Sequence, residues 1–452
     1  MKDKLNKISL AVIFIAAIFI RIYYIHYTPT WIRQHDVIGF GTGIGQAAFI
    51  EYFYEKIRLI DFDPREIWGF FQPPLHHMIA GLWLRLMVRV GDVFGWSMDT
   101  CREKVQVLTA AYSLVTVFFG AKIMKQLKVS GGAFTAGCAL MALHPCLIQM
   151  SGSINNDMLC VMLQIMGMYF FFLWMEKENM GTMILGGLCI GLSMMAKLSG
   201  IMLAVPMGCI MLYRLILSVK NKDRKKTTSY IKQYLCFAIA SIPIGIWSPV
   251  RNFLKFGVPL AYTPEVGEPI EGLSPLGRLL YTGGEQTPFT CMIATGHEYD
   301  EFNVPLAILK TSLFGEADFS AASPYSTAVG WALLFAGILV ALAVAYSLFY
   351  LVYRKTGGQY TAFMLIYILF SLGFLVRLCF AIPNFSSQDF RYIAHIIIPF
   401  GMRRCHVDAK ARSDRQDVHR SGHRPVLRLV AFDLLLGRKH RLVGGMSRQH
   451  VC

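Results

Sequence analysis

Gln72–Val90 reads QPPLHHMIAGLWLRLMVRV, and the fold turns on whether this stretch crosses a membrane. It is apolar enough to span. It also carries His76, His77, Arg85 and Arg89, and charges near the centre of a span are costly in lipid. The sequence predicts an amphipathic helix lying at the interface instead, started by Pro73 and Pro74. Trp83 and Leu84 are expected toward lipid, with Arg85 and Arg89 toward headgroups. Working outward, apolar runs predict spans at about 8–27, 104–126, 132–150, 158–175, 182–197, 200–216, 230–250, 327–352 and 360–382, and a tenth begins near 392. Backbone groups in hydrocarbon must be satisfied within their own segment, so the spans are helices. The class is an all-α polytopic membrane protein.

The basic loops test the reading of 74–90. Lys2, Lys4 and Lys7 put the N-terminus in the cytoplasm. If 74–90 stays on the surface, 28–103 is one large outer loop. Lys122, Lys125, Lys128, Lys177, the run KNKDRKK (220–226), Arg354 and Lys355 then all fall inside. A spanning 74–90 would turn KNKDRKK outward. The outer side therefore holds two large elements, 28–103 and 251–326. The run 8–27 is not a cleavable signal peptide: no small-residue site follows it, and Tyr23, Tyr24 and Tyr27 suit the interface.

Composition agrees with the class. Of 452 residues 55% are apolar and only 16% charged, against roughly 25% charged in soluble proteins; mean hydropathy is +0.46. The net charge of +16 does not indicate a nucleic-acid partner, because it sits in cytoplasmic loops and the tail. Residues 403–452 contain 12 Lys/Arg and 4 Asp, with no Ile, Tyr, Trp or Asn. That switch, just where IAHIIIPFGM enters a span, reads as a shifted reading frame following a domain of residues 1–402, with a basic cytoplasmic tail as the alternative. The 11 cysteines show no metal-ligand spacing, and most lie in apolar runs as small hydrophobes. A disulfide between Cys101 and Cys291 is a weak expectation.

The topology brings polar clusters to one side: His35-Asp36, Gln72 before Pro73-Pro74, Asn155-Asn156-Asp157, Lys197, Arg251-Asn252, and the run Gln388–Tyr392 with Arg391. Each has a bland reading. Asp36 and Asp157 would cap the helices that follow them, Lys197 would snorkel to the interface, and Arg251 would anchor the end of its span. Together, carboxylates and cations at one depth suit an anionic lipid headgroup and a polar acceptor.

In order along residues 8–400, QHDVIGF, FQPPLHHMIAGL, SGSINNDML, GLSMMAKLSGIMLAVP, WSPVRNFLKFGVPL and DFRYIAHIIIP resemble the GT-C glycosyltransferases of the phospholipid-carrier-dependent, protein-mannosyltransferase-like group. The resemblance implies a GT-C-like helix bundle in the cell membrane. It implies a sugar taken from a polyprenyl-phosphate carrier and passed, with inversion, to a glycan, lipid or protein acceptor on the extracytoplasmic face. By that likeness Asp36 is the base, oriented by His35, and Asp157 is the second acidic residue. Lys197, Arg251, Arg391 and Gln72 meet the carrier phosphate, and Asn156, Asn252 and His76 position substrate. The chain departs from the family in having His-Asp for Asp-Glu, and Gln72 where some relatives carry Lys. No cofactor is demanded, although two aspartates beside a phosphate would suit a divalent ion. The rival expectations are a transporter or flippase for lipid-linked sugars, and an inactive relic.

Overall fold

The computed structural model describes residues 2–30, 39–260, 262–264, 304–315, 324–353, 358–382 and 385–398. His35, Asp36, Cys291 and the tail after 402 lie outside these residues. All described residues belong to one compact unit, Met1–Ala409.

The first helix, α1 (Lys2–Tyr27), is a lipid-facing span, with Val12, Ile15, Phe19 and Ile22 all exposed. Two short helices and a longer one follow in the segment 28–103: α2 (Gly45–Lys56), α3 (Leu75–Phe94) and α4 (Met98–Glu103). The bundle then runs through α5 (Val105–Gln126), α6 (Gly131–Ala142), α7 (Pro145–Gly152), α8 (Asp157–Lys177) and α9 (Met180–Ala196). A 3-10 turn, Leu198–Leu203, leads into α10 (Ala204–Lys220) and α11 (Arg224–Phe256). The last helices are α12 (Val304–Phe314), α13 (Pro324–Tyr353) and α14 (Gly358–Ala381), followed by 3-10 segments Phe385–Gln388 and Phe390–Ile396. Among the described residues, seven helices are long and apolar enough to cross a membrane, and α3 is not one of them. The chain is a multi-pass membrane protein.

The expected span at 132–150 is two helices. Pro145 pushes His144 into an extended conformation (φ −64°, ψ 125°), which ends α6, and then serves as the first residue of α7. His144 Nδ1 accepts from the Cys146 amide at 3.3 Å. The last carbonyl of α6 is met by Arg21 from α1, which donates to Ala142 O at 2.9 Å and to Ser113 Oγ of α5 at 2.9 Å. A cation suits the negative end of a helix. The tenth span does not begin as an α-helix at 392, since Phe390–Ile396 is 3-10.

Helix packing in lipid rests on close approach rather than on hydrophobic burial. Gly187 and Gly191 supply it between α9 and α11. A Cβ on Gly187 would stand 2.8 Å from Phe237 O, and one on Gly191 2.8 Å from Ser241 O. Among the described spans α8 is the most buried, so it forms the centre of the bundle.

From residue 39 on, the segment 28–103 is packed into helices and an aromatic cluster. Phe49, Tyr52, Phe62 and Phe70 form an aromatic cluster, with His77 stacked on Phe49 at 4.4 Å. A Cβ on Gly81 would meet Phe53 Cβ at 2.7 Å, so α2 and α3 cross at glycine distance. This corrects the expected facing of α3. Leu84 is fully buried beside Ala47, Ile50 and Ala80, not turned to lipid. Trp83 is half-buried and donates to Lys104 O at 2.8 Å. Arg85 caps α2 through the carbonyls of Tyr54 and Glu55. The exposed apolar stripe is instead Leu82, Leu86 and Val93, one face at helical spacing, with Phe94 beside it. Cys101 is a free buried thiol under this segment.

Candidate functional site

The site grows from helix ends. Glu178 and Asn179 turn α8 back into α9, with Asn179 Oδ1 accepting from the Gly181 and Thr182 amides. The start of α8 and the end of α9 therefore lie at the same end of the hairpin. Asp157 is the first residue of α8, and Lys197 is the residue that ends α9, in extended backbone (φ −155°, ψ 132°). Their side chains form an ion pair between Lys197 Nζ and Asp157 Oδ1. Asp157 is not the cap of its helix. Its carboxylate faces cations, and its own amide is met by Asn155 Oδ1 at 3.2 Å.

A second cation arrives from the far end of the chain. Arg391 Nη1 lies 3.7 Å from Asp157 Oδ2, and Arg391 Nε lies 3.2 Å from Asp389 Oδ2. Asp389 also caps the 3-10 segment, its Oδ1 accepting from the Arg391 amide at 2.9 Å. Tyr392 completes the group: Lys197 and Arg391 each sit 4.9 Å from its ring centre. The four charges, two carboxylates and two cations, sum to zero. Access is unequal. The Arg391 side chain is 1% exposed and that of Asp157 5%, whereas Lys197 keeps 16%.

The segment 28–103 reaches this group through Gln72. Asn156 Nδ2 donates to Gln72 Oε1 at 3.2 Å and to Ala196 O at 2.7 Å. One amide thus ties α8, α9 and the Pro73-Pro74 turn together. His76 Nε2 bonds Ile154 O at 2.8 Å. Full burial lowers the His76 pKa from 6.5 to about 4, against the weaker upward pull of the Ile154 bond and Asp157. Arg251 and Asn252 make contacts of their own: Arg251 donates to Ile60 O and Asn252 Oδ1 and covers Phe256, pinning α11 to the segment 28–103.

The sequence thus picked out Asp157, Lys197 and Arg391, which the structure joins, and Gln72, Asn156 and His76, which surround them. Asp389 and Tyr392 lie in the converging run Gln388–Tyr392, but the sequence assigned them no role in the site. A signal was present, because Asp-Phe-Arg-Tyr places three polar groups within four residues next to a helix end. Among the described residues, no three His, Cys, Asp or Glu side chains come close enough to hold a metal. Asp157 is already neutralised by two cations, which fits poorly with a further role as metal ligand.

A family model described as dolichyl-phosphate-mannose-protein mannosyltransferase matches residues 73–247. That range covers Gln72's neighbours, Asn156, Asp157 and Lys197. No curated protein matches the chain. Among solved structures, the fold is similar to the archaeal oligosaccharyltransferase AglB from Archaeoglobus fulgidus, in complex with an inhibitory peptide and a dolichol-phosphate. Identity is 13%, the TM-score is 0.50, and the match covers 92% of this chain and 52% of that one. The chain therefore spans about half the length of that relative. ArnT from Cupriavidus metallidurans in the apo state also matches, at 13% identity and a TM-score of 0.38, over 91% of this chain and 80% of that one. The helix bundle and the matched segment bear out the resemblance carried by the ordered motifs. The chain is a membrane helix bundle with a GT-C-like fold, and its residues 73–247 are similar to the mannosyltransferase family.

Proposed function

We propose that this protein is a membrane glycosyltransferase that moves a sugar from a polyprenyl-phosphate carrier to an acceptor on the extracytoplasmic face. The observation that carries the reading is Lys197. It is the accessible cation of a buried, charge-balanced group, at a helix end, within the segment matched by the mannosyltransferase model. The fold relative's complex with dolichol-phosphate is consistent with such a carrier. The N-terminus is cytoplasmic, and the catalytic domain is residues 1–402, with outer elements 28–103 and 251–326.

In this reading the acceptor oxygen attacks the anomeric carbon as the bond to the phosphate oxygen breaks, which inverts the configuration. The leaving electron pair stays on the phosphate. That group is a weak base, so it requires charge stabilisation rather than a proton. Lys197 supplies it, and a preorganised cation acts strongly where water is thinned out. Asp36 takes the acceptor proton, with His35 orienting it; positioned bases contribute roughly 10²–10⁴-fold. Asp157, Asn156 and Gln72 fix the position of Lys197 through α8 and Ala196 O. Arg391 holds Asp157 from behind. Arg251, Asn252 and His76 keep the segment 28–103 seated over the helix ends.

The test is transfer of label from radiolabelled polyprenyl-phosphate sugars in membranes containing the protein. Label should leave the lipid with wild type and remain with Asp36→Asn and Lys197→Ala. Movement of the intact lipid-linked sugar across vesicles with no new glycosidic bond would replace the enzyme reading with a flippase.

A further inference from the structure

We infer that Asp157 keeps the phosphate site from favouring the product carrier: it blunts the preference Lys197 alone would have for a phosphate monoester over a diester. The inference rests on the carrier-dependent reading above and adds a specificity role to it.

The argument is one of charge. The donor is a phosphodiester and carries one negative charge. After the displacement the bond to the sugar is gone and the electron pair remains on the phosphate. The product is a monoester, whose charge at neutral pH is about −1.5 to −2, with a second pKa near 6. A bare lysine would hold this product more tightly than the donor, and turnover would stall on release. Lys197 is not bare. Asp157 pairs with it directly, and the carboxylate is itself fixed by Arg391. Arg391 cannot turn to the ligand in compensation, because it is buried and also held by Asp389.

Charged and titratable groups face Asp157 from three elements: Lys197 from the α9 end, Arg391 with Asp389 from the 3-10 segment, and His76 acting from α3. With a carboxylate paired to Lys197, the site rewards the extra charge on the monoester less than a bare lysine would. A phosphate seated on Lys197 stands on the order of 6 Å from the Asp157 carboxylate. At an effective dielectric constant of about 20, a unit charge there is opposed strongly enough to change affinity by about tenfold to a hundredfold. Removing that opposition should act on the doubly charged ligand more than on the singly charged one.

The probes are a short-chain prenyl phosphate and its methyl diester, with dissociation constants measured on the full-length protein in detergent at pH 7.5. Wild type should bind the two within about threefold of each other. Asp157→Asn should shift the ratio toward the monoester by about tenfold or more, and Asp157→Glu should keep the wild-type ratio. Lys197→Gln should weaken both. A ratio that stays within twofold in Asp157→Asn overturns the inference. So does a wild type that already prefers the monoester tenfold, and this measurement decides the matter even if Asp157→Asn does not fold. Failure of wild type to bind either probe counts instead against the carrier-binding reading.

Discussion

Replacing Arg391 with Met isolates the energetics of the buried charges. The side chain is 1% exposed and stands between two carboxylates, Asp389 Oδ2 at 3.2 Å and Asp157 Oδ2 at 3.7 Å. Methionine keeps most of the length and volume but removes the charge. Asp157 retains Lys197, whereas Asp389 loses its pair with Arg391 and stays buried. Breaking a buried pair in this way costs about 3–5 kcal/mol, mostly through the stranded charge. Asp389→Asn alone should cost less, because Arg391 keeps Asp157 and the Asn side chain can still accept from the amide. The double variant, Arg391→Met with Asp389→Asn, should therefore recover about 2 kcal/mol relative to Arg391→Met. The assay is a double-mutant cycle on unfolding of the detergent-solubilised protein, with midpoints read by intrinsic fluorescence. Additive effects, within about 0.5 kcal/mol, would refute the coupling of 389 and 391 and with it the buried group as described.

Acidification should destabilise the contact between α3 and the start of α8. The folded-state pKa of His76 lies at about 4, below the unfolded value of 6.5, so the unfolded chain binds more protons between the two. The His76 contribution is complete above pH 6.5 and falls toward pH 4, by up to about 3 kcal/mol, and His76→Asn should make that part of the unfolding profile shallower, the buried His77 keeping a slope of its own. Gly191→Val should cost about 1–3 kcal/mol by forcing α9 away from Ser241 O, whereas Gly208→Ala, with nothing within 4 Å, should leave the unfolding midpoint in place. With Cys209, Cys236, Cys291, Cys405 and Cys452 changed to Ser, Arg65→Cys and Lys222→Cys should react with impermeant thiol reagents from opposite sides of sealed vesicles; labelling from one side would overturn the proposed orientation.

The spans were legible because their length and apolarity are forced by lipid, and the structure follows the predicted runs closely from 104 to 256. The break at Leu143–Pro145 was not read, although Pro145 was visible, because an apolar run on both sides of a proline looks continuous on a hydropathy scale. The face of α3 was misjudged for a related reason. Leu82, Trp83, Leu84 and Leu86 surround the helix with apolar groups, so amphipathicity alone does not choose which of them meets lipid. Gly81 held the missing information, since a glycine beside a bulky run marks the face that another backbone approaches. Asp157 and Lys197 could be placed together by counting two antiparallel helices. The link from Asp157 to Arg391 spans most of the chain, and no local pattern encodes it.

The chemistry gathers where helices stop, and lipid explains why. A charged side chain inside a continuous span faces hydrocarbon or must be matched within one or two turns. At a helix end the backbone also has unpaired donors and acceptors, and polar side chains find partners there. Three such ends meet here. The chain is irregular between Gly152 and Asp157, extended at Lys197, and extended again at Asp389 before a 3-10 turn. Asn156 bonds the free carbonyl of Ala196, Asn155 the amide of Asp157, and Asp389 the amide of Arg391. The Asn155 and Asp389 bonds satisfy their own interruptions, while the Asn156 bond and the pairs of Asp157 with Lys197 and Arg391 join the three. The result is a site whose cations are rigidly held yet balanced, with Lys197 alone among the four charges left partly open. Moving any one break by a turn, about 5 Å along its helix, would separate the charges and leave buried ions without partners. The helix ends and the ion group therefore stand or fall as one unit.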